Sequence, residues 1–531
     1  MFRRWFYGAG AALLLAIAGV ATLWPPVLWS LVVVAPALAL GLHDALQRRR
    51  TILRNFPLLG RLRYLFEMVR PEIQQYFIES NIDAFPIERE MRSVVYQRAK
   101  GDLETLPFGT QRDVYRVGYE WAAHALAEPQ PLAEEPRLLV GGPDCAVPYS
   151  SSRLNISAMS FGALSPTAVR ALNRAAARGG FAHNTGEGGI SPYHLEGGDL
   201  IWQIGTGYFG CRAPDGAFDE ELFAENAARD HVRMIEIKLS QGAKPGHGGV
   251  LPAGKVSPEI ARIRNVPVGQ TVLSPPRHST FHSPVGLMEF VALLRERSGG
   301  KPVGFKLCVG RRGEVFALCK AMIETGITPD FITVDGGEGG TGAAPLEFSN
   351  SIGMPGRDGW AFVHGALLGA GLRDHVRLFA SGKVLTGFHM IRAMALGADA
   401  CNSARGMMLA LGCIQALRCN NNTCPTGVAT QNPALYRGLV VTDKAERVWR
   451  FHEATIESFL ELLDAMGVSS PEAITPELVF RRVRDMTVRS FADLYDYPDP
   501  GGLVRGGDVP RGWREEWARA SADRFGAAGT A

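Results

Sequence analysis

The sequence predicts an α/β protein built on a (β/α)8 TIM barrel, and three observations carry that expectation. Eight short apolar runs read as strands: Leu154–Ser160, Gly180–Asn184, Leu200–Gly205, Met234–Leu239, Val303–Val309, Phe331–Gly336, Val376–Ser381 and Ala400–Arg405. Helical periodicity separates several of them, as in Pro166–Arg178, Val285–Arg297 and Gly313–Thr325, and repeated strand–helix order points to a parallel barrel. The last two strands end in small residues, Ala380-Ser381-Gly382-Lys383 and Ser403-Ala404-Arg405-Gly406, where barrels of this kind hold phosphate. A doubly wound open sheet is the alternative arrangement of the same elements.

Ahead of the barrel, the sequence predicts a membrane helical hairpin over residues 1–43. No residue from Trp5 to Leu42 is charged, and Trp24-Pro25-Pro26 divides this run into Phe6–Leu23 and Val27–Leu42. Each segment is near the lower limit of ~17 residues for crossing a bilayer, and the two prolines suit a tight turn. Arg3-Arg4 and Arg48-Arg49-Arg50 flank the pair, so the positive-inside rule puts both ends in the cytoplasm. Trp5, Tyr7, Trp24 and Trp29 are placed like interfacial anchors. The expected location is therefore the inner (cytoplasmic) membrane, with the catalytic domain facing the cytoplasm. A signal peptide and a buried soluble hairpin are the rivals; the second apolar segment and the lack of a clean cleavage site weigh against the first.

Residues 44–150 read as a basic linker and lead-in. Arg54, Arg61, Arg63 and Arg70 alternate with Leu53, Phe56, Leu62 and Phe66, which suits a segment on a membrane surface or a linker helix packed on the main domain. Across the 531 residues the net charge is only +3, which gives no reason to expect nucleic acid.

The strand exits hold the chemistry. Glu187, in Asn184-Thr185-Gly186-Glu187-Gly188-Gly189, can hold an amine or ammonium-like nitrogen, and Lys244, in Gln241–Gly246, can bind a carboxylate. Gly205–Gly210 formally matches a dinucleotide fingerprint, but Cys211–Gly216 cannot open the helix that motif needs. Lys306 lies in the apolar run VGFKLCV, where a lysine either snorkels or points at an anion. Gly336 and Gly337 open the run DGGEGGTG, whose five glycines let a ligand approach the backbone. Gly382, Lys383, Arg405 and Gly406 supply backbone N–H groups for a phosphate cradle. That cradle is local and no adenosine-binding domain follows, which favours a mononucleotide.

Cys413, Cys419 and Cys424 follow with the spacing C-x5-C-x4-C and then Pro425, a pattern that suits an iron–sulfur cluster. Buried small thiols are the plainer reading, but the polar run Asn420–Thr423 does not look like core, and a structural zinc would want a fourth ligand. The other five cysteines show no disulfide framework, as expected in a reducing compartment. Residues 432–531 read as a helical extension (Ala445–Met466) and a tail without catalytic pattern.

The motifs NISAMSFGALS, NTGEGG, KLSQGAKPGHGG, DGGEGGTGAAP, ASGK and LGCIQALRCNNNTCPTGVATQ together resemble the FMN-binding domain of glutamate synthase, over roughly Leu154–Gln431. The resemblance implies an FMN-binding aldolase-type barrel over 151–431, a [3Fe-4S] cluster on the three cysteines, and flavin near Met159, Ser160, Gln241, Lys306, Gly336, Gly337, Gly382, Lys383, Arg405 and Gly406. It also implies that Glu187 and Lys244 lie beside flavin and 2-oxoglutarate. The implied reaction is reductive amination of 2-oxoglutarate, through 2-iminoglutarate, to glutamate. Ammonia would come from outside the chain, and electrons from an external donor protein. The chain departs from the family pattern at His247 and Val250, which stand where it carries glutamate and glutamine, and over Ser274–Thr280, which replaces a typical SPPPHHD; valine cannot hydrogen-bond a keto acid. A flavin dehydrogenase for another amino or keto acid, and a membrane electron-transfer module, therefore stay open. No glutaminase is expected on this polypeptide, whose first cysteine is Cys145.

Overall fold

The computed structural model describes residues 2–126, 132 and 134–526, in two compact units, Met1–Arg89 and Glu90–Ala531. In the first unit, helices Phe2–Ala21 and Leu31–Leu46 are joined by a 3-10 turn, Pro25–Ser30, at the expected proline break. Gly10 faces Leu38 and Gly41 faces Phe6, so the two helices run antiparallel. The apolar spans cover 20 and 22 residues, with mean hydropathy 1.4 and 1.9, and almost none of either is buried. Asp44 is fully buried at the end of the second span and accepts from Arg61 Nε at 2.8 Å and Arg61 Nη2 at 2.7 Å. That pair ties the hairpin to the helix Gly60–Ile73, on which Leu62, Leu65, Phe66 and Met68 are exposed.

The second unit is organised by a closed parallel barrel. Its strands are β1 (Leu154–Ile156), β2 (His183–Asn184), β3 (Leu200–Ile204), β4 (Val232–Lys238), β5 (Val303–Leu307), β6 (Phe331–Asp335), β7 (Arg377–Gly382) and β8 (Ala400–Ser403). All eight expected strands form. β8 pairs with β1 in the register Cys401↔Leu154, Asn402↔Asn155 and Ser403↔Ile156, which closes the sheet and excludes an open one. The strands end earlier than the apolar runs because residues such as Ser157–Ser160 already belong to the exit loops.

The helices between strands start where local chemistry allows. Ser165 Oγ accepts from the Ala168 N–H, Pro166 opens the first turn of Pro166–Gly179, and Gly180 ends it in the left-handed region. Ser283 and Pro284 repeat that start for Pro284–Arg297. The lead-in is more ordered than its weak periodicity suggests. It forms the helix Arg89–Lys100 and a strand, Glu120–Ala122, paired with Val479–Arg484. The long helix Val441–Ala465 buries Val448, Phe451, Phe459 and Leu463, and its His452 stacks on Phe181 with ring centroids 4.0 Å apart.

One end of the barrel is plugged. The strands Leu138–Val140 and Tyr149–Ser151 pair antiparallel, and Leu138, Val140 and Tyr149 join Ala182, Ile201, Met234, Phe331, Phe379 and Ala400 in one buried cluster. These residues sit at or near the strands' amino ends, which leaves the carboxyl ends as the place for a ligand, as in other barrels of this type.

Candidate active site

Parallel neighbours in register share a face of the sheet, and the inward face of this barrel is polar toward the carboxyl ends. Glu236 is fully buried on β4 and accepts from Asn184 Nδ2 (2.8 Å), Gln203 Nε2 (2.6 Å) and Thr333 Oγ1 (2.7 Å). Two residues on, Lys238 donates to Glu187 at 2.8 Å. Lys306 is in register with Lys238 and pairs with Asp335 at 3.2 Å. It is buried rather than snorkelling. Burial alone would discharge Lys306, but Asp335 and Glu236 more than offset that and hold its pKa above the ordinary range. Asn402 is in register with Ser381 on the same face, and its buried amide oxygen has no partner among the described residues.

The exits of neighbouring strands touch through glycine. Gly186 has φ +64°, and a Cβ there would lie 2.6 Å from Ser160 N and 2.9 Å from the Met159 carbonyl carbon. The Met159–Ser160 and Glu187 loops are therefore in contact. A Cβ on Gly242 would run into the Gly336 carbonyl and stand 3.0 Å from Gly339 Cα, and the Gly242 N–H donates to Asp335 at 2.9 Å. This brings half-buried Gln241 against Gly336 and Gly337. Arg405 donates to the Glu338 carbonyl at 3.1 Å, which adds the β8 exit to the same group. Gly382 packs over Trp360, whose ring lies 3.2 Å from where a Cβ would stand. The helix after β8 starts directly at Arg405, whereas the helix after β7 starts only at Gly387, beyond half-buried Lys383 and the cap Thr386.

Glu187 and Lys244 come together, with two partners that sequence reasoning missed. Burial pushes the Glu187 carboxyl up, but Lys238, Arg264 and Lys244 outweigh it and hold the group below the usual carboxylate range. Lys244 is buried, and burial together with Lys238 lowers its pKa to about 8, against the pull of Glu187. Arg264 donates to the Phe161 carbonyl at 2.9 Å and to Ser160 Oγ at 3.3 Å. Lys238 carried the same signal as Lys306, a lysine within an apolar strand, here MIEIK. Arg264 gave no sequence signal, because it ends an ordinary amphipathic helix, Pro258–Arg264.

The three cysteines share one loop. Burial and the neighbouring Cys419 and Cys424 raise Cys413 to about 11. Burial would raise Cys424 as well, but backbone N–H groups of Ala429, Thr426 and Val428 and the Thr426 hydroxyl reverse that and favour its thiolate. The sulfurs thus sense one another's charge, yet among the described residues no three His, Cys, Asp or Glu side chains converge on a single-ion site. Gln415, Leu417 and Asn422 all have positive φ (+56°, +54° and +64°), a concentration of strained backbone that persists only where surrounding contacts enforce it. The loop also walls an open cleft of about 520 Å³ bounded by His247, Val250, Leu273, Thr341, Leu417 and Cys419.

Together these features define a (β/α)8 barrel enzyme fold with a charged interior, a glycine-lined mouth and a thiol loop at the rim. Residues 145–469 match the family model described as the conserved region in glutamate synthase. The chain is 37% identical over 494 residues to the glutamate synthase large subunit-like protein YerD of Bacillus subtilis strain 168, covering 85% of this chain and 94% of that one. It is 36% identical over 321 residues to the archaeal glutamate synthase (NADPH) of Methanocaldococcus jannaschii, covering 60% of each. The match to the B. subtilis glutamate synthase (NADPH) large chain, 37% identical, covers 53% of this chain but 18% of that protein. Among solved structures, a flavocytochrome b2 mutant with bound pyruvate aligns at 14% identity with TM-score 0.42, over 81% of this chain and 89% of that one. The chain belongs to the glutamate synthase family and is a glutamate synthase-like oxidoreductase.

Proposed function

We propose that this protein binds FMN and an iron–sulfur cluster, and that it reductively aminates 2-oxoglutarate to glutamate, through 2-iminoglutarate, with ammonia from outside the chain. The observation that carries this reading is the meeting of the Glu187–Lys238–Lys244 charge group, the glycine-lined strand exits and the three-cysteine loop at one barrel mouth.

The residues present fit both groups. The buried, unpartnered Asn402 oxygen and the paired ammonium of Lys306 suit a flat ring that brings N–H donors and negative charge. Gly382, Lys383, Arg405 and Gly406 would hold the phosphate, and Met159, Ser160, Gln241, Gly336 and Gly337 would border the ring. Three mutually sensing thiols that do not converge on one ion suit a multi-iron [3Fe-4S] cluster better than zinc. When bound, FMN supplies hydride chemistry and the cluster one-electron entry. The chain's own work is electrostatic: Lys244 attracts a substrate carboxylate, Glu187 orients the nitrogen, and Lys306 balances negative charge on the ring. The electrons come from a separate donor protein.

A second reading, a flavin dehydrogenase acting on another keto or amino acid, is favoured by the cleft itself, where His247 and Val250 form part of the wall. The two readings part in one experiment. Purified protein is reduced anaerobically, and flavin reoxidation is followed as keto acids are added with ammonia. Reoxidation by 2-oxoglutarate plus ammonia supports glutamate formation; reoxidation only by other keto acids supports the second reading; reoxidation by none sinks both. FMN, not FAD, is expected on chromatography of the released cofactor. The apolar hairpin supports a tether to the inner face of the cytoplasmic membrane, with both ends in the cytoplasm.

A further inference from the structure

Lys255 is a buried charge for which nothing above gives a use. It ends the short turn Ala253–Lys255, is 3% exposed, and among the described residues forms no salt bridge with a carboxylate. Its ammonium donates to two backbone carbonyls, Ala429 at 3.0 Å and Ala163 at 3.2 Å. Burying an ammonium without a counter-charge is unfavourable, so a position like this wants a compensating negative charge. The opposite charges that act on it are those of Cys419 and Cys424.

The contacts are built from both sides. Ala429 receives the ammonium on its carbonyl and turns its own N–H toward the Cys424 sulfur. Asn422, between the two cysteines, donates to the Gly254 carbonyl at 3.1 Å, one residue before the lysine. Asn422 is fixed in turn by Thr430 Oγ1 at 3.0 Å and the Gln431 N–H at 2.6 Å. The turn carrying the lysine is therefore fastened to the cysteine loop at two points, and the ammonium cannot swing to solvent without breaking its bonds to Ala429 and Ala163.

We infer that Lys255 is the fixed counter-charge of the cysteine-loop cluster: a positioning residue that sets its reduction potential without touching substrate. The inference rests on the iron–sulfur reading of Cys413, Cys419 and Cys424. Reduction adds one electron, and hence one negative charge, to a centre already held by three thiolates. A nearby ammonium in a dry site favours that reduced state, and removing it favours the oxidised one.

The test is a potentiometric titration of full-length protein, reduced stepwise with dithionite and followed by electron paramagnetic resonance of the oxidised cluster. Lys255→Met, with normal iron and sulfide content, is expected to shift the reduction equilibrium about tenfold toward the oxidised state, roughly 59 mV more negative for one electron. Lys255→Arg keeps the charge and should stay near the wild-type midpoint. If the methionine variant loads iron only in part, the midpoint of its loaded fraction decides in the same way. A methionine variant with full iron and an unmoved midpoint overturns it. So does equal loss of iron in both variants with flavin retained, which marks a purely structural lysine. Absence of iron from reconstituted wild type would instead refute the cluster reading on which the inference rests.

Discussion

Lys244 gives a quantitative test of how the site attracts its substrate. Its pKa is lowered to about 8 by burial and by Lys238, against about 10.4 for a lysine in the unfolded chain. Holding it charged in the empty folded protein therefore costs about 3 kcal/mol at 1.36 kcal/mol per unit. Only the ammonium attracts a carboxylate. Near pH 8 half the molecules carry it, and each further unit removes about tenfold. From pH 7 to pH 9 the affinity for 2-oxoglutarate should fall about tenfold, or ~1.4 kcal/mol.

Stability should move the other way. Between pH 8 and about 10.4 the unfolded chain holds this proton and the folded one does not, so folding is favoured as pH rises through that window. Lys244→Met should therefore bind the keto acid weakly at every pH, yet be more stable than wild type at pH 7 by up to about 3 kcal/mol. Lys244→Arg, charged throughout, should remove the affinity step. Titration calorimetry of 2-oxoglutarate into oxidised protein from pH 6.5 to 9.5, with thermal unfolding at the same pH values, measures both. A flat wild-type affinity profile, or the same step in the methionine variant, refutes the assignment.

Other substitutions probe the remaining parts. Serine at Cys413, Cys419 or Cys424 should remove iron and sulfide while FMN is largely kept; full clusters in all three variants would show that the ligands lie elsewhere. Gly242→Ala forces a methyl group into the Gly336 carbonyl, where neither backbone can retreat. It should cost upward of about 3 kcal/mol and release flavin, and a normally melting, flavin-loaded variant would argue against the close packing of these loops. Deleting the chain to about His43 should move the protein from the membrane to the soluble fraction with flavin bound. Fractionation should be repeated at high salt, because the arginines between Arg48 and Arg63 can retain screened surface contacts. Full-length protein that stays soluble without detergent would end the tether reading.

The barrel was legible because each strand is a buried apolar run that stops at small residues, a local signal repeated eight times. The strand exits were legible for the same reason, and the family motifs sharpened them. What sequence could not supply was register. Glu236 sits inside MIEIK, and nothing local says that Asn184, Gln203 and Thr333 will reach it from three other strands. Lys255 was invisible in the same way, since Ala163 lies 92 residues before it and Ala429 lies 174 residues after it, and only folding brings them near. The helix Arg89–Lys100 was missed because charged residues interrupt its pattern, and Val95 and Ala99 are its only buried apolar residues.

The paired strands Leu138–Val140 and Tyr149–Ser151 turn the barrel from a tube into a cup. A cup has a single rim, and here the cysteine loop is part of it. Whatever the reaction consumes or releases must cross that rim, so arriving and departing molecules queue for one doorway. A product that has not yet left stands in the way of the next substrate. Crowding the rim would therefore slow turnover without altering a single group in the interior.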